Sequence, residues 1–161
     1  MISITEALRH PERAASRLVD EKLVFGLRDV KVVGADPQAA VFELVLDPWA
    51  PMAAEGYPRE VLVVLINRSG DAYAMPRGDV GRHWKHRFPD VVLRECTPPC
   101  LGQLCLYYPD DPREFRWEGS DGLEAFVTMA HRHLMAEEYW RRSGERCWPA
   151  PDAPHGRSSK P

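Results

Sequence analysis

The sequence predicts an α+β fold: an N-terminal helix, a four-stranded antiparallel meander, a long irregular loop and a C-terminal helix. Three observations carry this. Apolar residues recur at helical spacing near both ends of the chain, while residues 24–75 alternate with the period of half-buried strands. No helix-length pattern separates those strands, so they neighbour one another as hairpins rather than as βαβ units.

Each element has its own signal. Ser3 and Glu6 stand at capping-box spacing, and Pro11 suits the first turn of a second helical stretch running to about Glu21. Ala14, Ala15, Leu18 and Val19 form its inner face. Strands follow at 24–33, 39–47, 60–67 and 72–75. The turn Gly34-Ala35-Asp36-Pro37 joins the first two, and Asn67-Arg68-Ser69-Gly70 joins the last two. In the second strand Phe42, Leu44 and Leu46 share one face, and Val41, Glu43 and Val45 the other. Residues 76–119 read as irregular apart from a short strand at 91–93, and a long irregular stretch inside a domain is usually functional. The main helix is predicted over 121–143. Asp121 and Glu124 stand at capping-box spacing, Leu123, Phe126, Val127, Ala130 and Leu134 mark the apolar face, and Gly144 is its C′ residue. Residues 1–156 read as one domain and 157–161 as a flexible tail.

Composition narrows the function. The chain has 161 residues, 44% hydrophobic and 28% charged, with a formal charge of −3. That balance lacks the basic footprint of a nucleic-acid binder. The longest aliphatic run is VLVVLI, far short of a membrane span of about 20 residues. MISITEALRHPERAASRL has no apolar signal core, so a cytoplasmic location with reduced thiols is expected for Cys96, Cys100, Cys105 and Cys147.

Motifs narrow it further. There is no GxSxG, no GxGxxG, no phosphate-cradling glycine loop and no HExxH. Cys96, Cys100 and Cys105 are spaced with three and four residues between them, wider than paired zinc ligands commonly stand, and no second pair exists; Cys147 or His155 is the available fourth ligand. No metal and no small-molecule cofactor are expected. His131 and His133 lie two apart on a helix and cannot share a face, and His83 and His86 read as polar residues flanking Trp84. Cys105 stands apart, in Gly102-Gln103-Leu104-Cys105-Leu106-Tyr107-Tyr108-Pro109. By local pattern alone, a cysteine between two leucines is more often a small core residue than a nucleophile. An extended backbone turns Leu104 and Leu106 inward together and Cys105 to the opposite side, where partial accessibility is expected.

The G-x-L-C-L core, placed after a helix and a meander and before a helix, resembles the active-site segment of ubiquitin-conjugating enzymes. With LCLYYP, the acidic and aromatic loop around Trp117, and the ending YWRRSGERCWPAPDAPHG, the chain is similar to a bacterial branch of that family. Those proteins are ubiquitin-conjugating-like enzymes of type II CBASS anti-phage operons, encoded beside a cGAS-like nucleotidyltransferase. The resemblance implies a ubiquitin-conjugating (UBC-like) fold and a catalytic Cys105 that accepts an acyl group as a thioester, which reverses the local reading. It implies the nucleotidyltransferase C-terminus as acyl donor, without a separate activating enzyme, and a catalytic role for His155, which matches a terminal histidine of that branch. The alternative is a non-catalytic UBC-like module that regulates the same partner. One departure stands out: the family's oxyanion asparagine, before the cysteine, has no counterpart, since the only asparagine is Asn67 in a turn far upstream.

Overall fold

The computed structural model describes residues 1–77, 87–93, 100–107 and 111–145, with backbone only for 87–93 and 100–101. Two short helices, α1 (Ile4–Arg9) and α2 (Pro11–Asp20), open the chain. Ser3 caps α1, its hydroxyl accepting from the Glu6 N–H at 3.1 Å, and Pro11 sits in the first turn of α2, where a missing N–H costs nothing. Ala14, Ala15 and Leu18 are buried as the spacing requires, with Val19 half-buried.

Four antiparallel strands follow in meander order: β1 (Leu27–Ala35), β2 (Ala39–Leu46), β3 (Glu60–Asn67) and β4 (Ala72–Arg77). The chain is α+β, as its patterning predicts. β2 and β3 pair without a break from Ala39↔Asn67 to Leu46↔Glu60, so Phe42, Leu44 and Leu46 meet Leu62, Val64 and Ile66 on one face. That face, the inner sides of α1 and α2, and the main helix share one continuous apolar core. On the opposite face Val41, Val63 and Met75 form a smaller cluster, flanked by the Arg77–Glu43 ion pair at 2.9 Å. Pro76 falls in β4, an edge of this sheet, where a missing N–H is tolerated.

Three boundaries differ from the sequence reading, each for a local reason. β1 starts at Leu27 rather than near residue 24 because Gly26, at φ +81°, turns the chain first. The proline-rich loop after β2 contains one short helix, α3 (Ala50–Ala54). The stretch expected to be largely irregular holds a hairpin, β5 (Arg87–Leu93) with β6 (Cys100–Leu104), and β6 lies against β4. The short strand expected at 91–93 is the end of β5; the register breaks between Phe88 and Val92, which interrupts the periodicity before it.

The main helix, α4 (Leu123–Ser143), begins two residues later than expected. Asp121 caps a separate 3-10 turn (Gly119–Asp121) by accepting from the Glu118 N–H at 2.8 Å. Glu124 instead reaches the N-terminal segment: its carboxylate accepts from the Ile2 N–H at 2.9 Å, while the Leu123 N–H donates to the Ile2 carbonyl at 2.9 Å. The Leu123 N–H, which the start of the helix leaves without a partner, is thereby satisfied by Ile2. Gly122 between them is favoured by its φ of +85°, and a Cβ there would also crowd the Ile2 carbonyl at 3.1 Å. At the far end Gly144 adopts φ +76° and its N–H reaches the Trp140 carbonyl at 2.9 Å, as its position predicts. No helix among the described residues is long and apolar enough to cross a membrane.

Candidate functional site

Cys105 is the first residue after β6, on a segment whose direction is set by two anchors. Gly102 bends the strand three residues earlier, with φ +82°, a backbone state that a side chain disfavours. Leu104, 1% exposed, is part of the main core, and Leu106 and Tyr107 pack on its edge. Trp117 closes the same region, its indole N–H donating to the Gly122 carbonyl at 2.9 Å and its ring edge-on to Phe126 at 5.0 Å.

The alternation expected of an extended segment holds: Leu104 and Leu106 belong to the core side, and Cys105 to neither apolar cluster. The expected accessibility does not. Cys105 is only 4% exposed, because alternation fixes the side a residue takes and not whether that side is open. Burial pushes its thiol up to about 12, and the Asp111 carboxylate adds to the shift by opposing a second negative charge. At neutral pH the group is a thiol, not a thiolate.

Leu106 lines two grooves. One, of about 460 Å³, runs along β4 and β6 past Asp71, Tyr73, Gln103, Tyr107 and Trp117. Asp71 is held below the usual carboxylate range by hydrogen bonds from Ser69 and Asn67, and the Tyr107 phenol is raised by burial and by Asp71 and Tyr73. The other groove, of about 600 Å³, lies between the first half of α4 and the 3-10 turn at Arg113–Phe115, with Phe115, Met129, Arg132 and His133 in its wall.

Asn67 is committed to the β3–β4 turn: its amide carbonyl accepts from the Ser69 hydroxyl at 2.6 Å and the Asp71 N–H at 3.0 Å. Cys100 opens β6 opposite Leu93. Cys96, Cys147, His83, His86 and His155 lie outside the described residues. Among those that are described, no group of three or more His, Cys, Asp and Glu could hold a metal.

Two features escaped the sequence reading. Asp111, six residues beyond the thiol, is the carboxylate that acts on it, and only its nearness in the chain signals this. His131 and His133 are both buried, at 1% and 6% exposure. His131 continues the apolar stripe of α4, four residues after Val127 and three before Leu134, so its burial was available from spacing. No protein-family model, curated protein or solved structure matches the chain.

Proposed function

We propose that the chain is a cytoplasmic ubiquitin-conjugating-like acyl transferase. Cys105 takes the C-terminal acyl group of a partner, a cGAS-like nucleotidyltransferase in an anti-phage operon, as a thioester. The observation that carries this reading is the placement of Cys105. It directly follows β6, outside both apolar clusters, after a helix-and-meander half and before a long helix, the order implied by the resemblance of G-x-L-C-L to the conjugating-enzyme segment.

The chemistry has two steps. A base removes the thiol proton, and the sulfur attacks the partner's C-terminal carbonyl, which reaches it activated as an acyl phosphate or acyl adenylate; the C–S bond forms as phosphate or AMP leaves. An amine then attacks the thioester, forming the C–N bond, and the sulfur departs and regains a proton. Because the buried thiol resists ionisation, the base matters more here than for an exposed cysteine. His155 is our choice for it, on the resemblance alone.

Co-expression with the partner and non-reducing electrophoresis tests the reading. A thioester adduct forms with the wild-type chain and is cleaved by hydroxylamine. Cys105→Ser converts it to a hydroxylamine-resistant ester or abolishes it, and Cys105→Lys freezes it as an amide. His155→Ala slows its formation without unfolding the protein.

One observation favours the second reading, a non-catalytic UBC-like module that regulates the same partner. A cysteine 4% exposed and held neutral is what a packing residue looks like. On that reading Cys105→Ala binds the partner and alters its output as the wild type does.

A further inference from the structure

Away from Cys105, a buried imidazole pins the middle of α4 to the end of the sheet where β1 starts and β2 finishes. His131 is 1% exposed, and its Nδ1 lies 3.2 Å from the Phe25 carbonyl. A carbonyl only accepts, so Nδ1 carries the proton, and in the neutral ring Nε2 is an acceptor. Nε2 is buried and has no hydrogen-bond partner among the described residues. Trp49 stands edge-on to the ring at 5.9 Å, and its own buried Nε1 likewise has no acceptor among the described residues. Gly26 passes so close that a Cβ would lie 2.8 Å from the ring's Cε1 and 2.6 Å from the Asp47 carbonyl. The imidazole is thus enclosed by the entry to β1, the exit of β2 and the start of α3.

A second proton would place a charge in a buried site, where the Phe25 and Asp47 carbonyls offset only part of the lost hydration. The charged groups around the ring offset this only in part. Asp47, at the end of β2, is taken by Arg59 at 2.5 Å and Arg28 at 3.5 Å. α3 carries no charged residue. Glu138, two turns further along α4, is bound by Arg141 and Arg142. His133 takes another side of α4, with Glu137 at 3.9 Å.

We propose that His131 is an acid-sensitive pin: proton uptake at Nε2 undocks α4 from the β1–β2 end of the sheet and from Trp49. This does not depend on the conjugation reading. Burial holds the imidazole below its ordinary range, against the Phe25 and Asp47 carbonyls and the Asp47 charge. The folded state therefore binds the proton less readily than the unfolded one. Stability is full above the ordinary imidazole value of about 6.5 and declines as pH falls from there toward the folded-state value.

Amide hydrogen exchange of α4, corrected for intrinsic rates and followed from pH 8 to 5, tests the pin in wild type and in His131→Asn. The asparagine keeps a donor for the Phe25 carbonyl but cannot titrate, and His133 is common to both proteins. The opening constant of α4 in the wild type rises by up to about tenfold per pH unit below about 6.5, and stays within about twofold in the variant. Equal slopes in both proteins overturn the proposal. Should His131→Asn fail to fold, nitrogen chemical shifts of the wild-type ring decide. A neutral ring with a protonated Nδ1 persisting below pH 6 supports the pin, and titration at the ordinary value with unmoved α4 amides overturns it.

Discussion

Cys105 and His131 are both buried ionisable groups held in their neutral forms, and their shifts run in opposite directions. The thiol is pushed up to about 12, and the imidazole is pushed down. Burial is the largest cause in both, since it penalises whichever form is charged. The neighbours differ. Asp111 works with burial at Cys105, because a carboxylate repels a thiolate; Asp47 works against burial at His131, because a carboxylate attracts an imidazolium. One region is locked twice, and the other is a contest that burial wins. A site meant for a thiolate thus needs outside help to ionise, whereas the pin keeps its neutral form at neutral pH and is loosened only by acid.

The largest expected effect is on the thiol. Alkylation of Cys105 by iodoacetamide, read by peptide mass, rises about tenfold per pH unit from pH 7 to 10, because only the thiolate reacts and its fraction is still climbing. A plateau near pH 9, where an exposed cysteine levels off, would erase the contrast between the two regions. Next comes the packing around the pin. Gly26→Ala combines a disfavoured backbone state with a clash against the Asp47 carbonyl and His131, and costs about 2–4 kcal/mol in denaturant unfolding. Gly56→Ala, at a similar φ of +76° but with nothing within 4 Å of a Cβ, isolates the backbone part, about 1–2 kcal/mol.

Two smaller effects sharpen the comparison because the same chemical change has opposite consequences. Asp111→Asn lowers the thiol pKa toward its ordinary range, and alkylation at pH 8 speeds up by roughly a few-fold. Asp47→Asn removes the charge that favours the imidazolium, so the imidazole pKa falls further from its ordinary range and the acid-labile window extends to lower pH. The loss of the half-exposed Arg59 and Arg28 pairs adds at most about 1 kcal/mol at neutral pH. Thermal melts of wild type and Asp47→Asn from pH 5 to 8 separate the two contributions, since the ion pairs are already formed throughout that range.

What the sequence made legible follows from the range of the forces involved. β2 and β3 lie within a residue of their predicted bounds because one face of each is buried, and a slip of one residue would turn Phe42, Leu44 and Leu46 outward. The ends of α4 were legible only where a local signal acts. Gly144 caps as expected, whereas the start moved because Glu124 answers Ile2, a partner more than a hundred residues away in sequence. Of the β5–β6 hairpin only 91–93 was legible, because the register breaks between Phe88 and Val92, beside Pro89. At the site, the side taken by Cys105 was readable from alternation, and its cover was not, since exposure depends on what folds over it. The burial of His131 was readable from its place on the apolar stripe of α4, whereas the wall it meets, Phe25, Gly26 and Trp49, was not, because those residues are distant in sequence.

The most direct test of thioester transfer through Cys105 is the intact mass of the complex co-expressed with the nucleotidyltransferase, across single-cysteine variants. Transfer through Cys105 gives a covalent adduct with the wild-type chain, the same adduct with Cys96→Ala, Cys100→Ala and Cys147→Ala, and none with Cys105→Ala. An adduct that persists in Cys105→Ala, or that vanishes in Cys96→Ala with Cys105 intact, contradicts it.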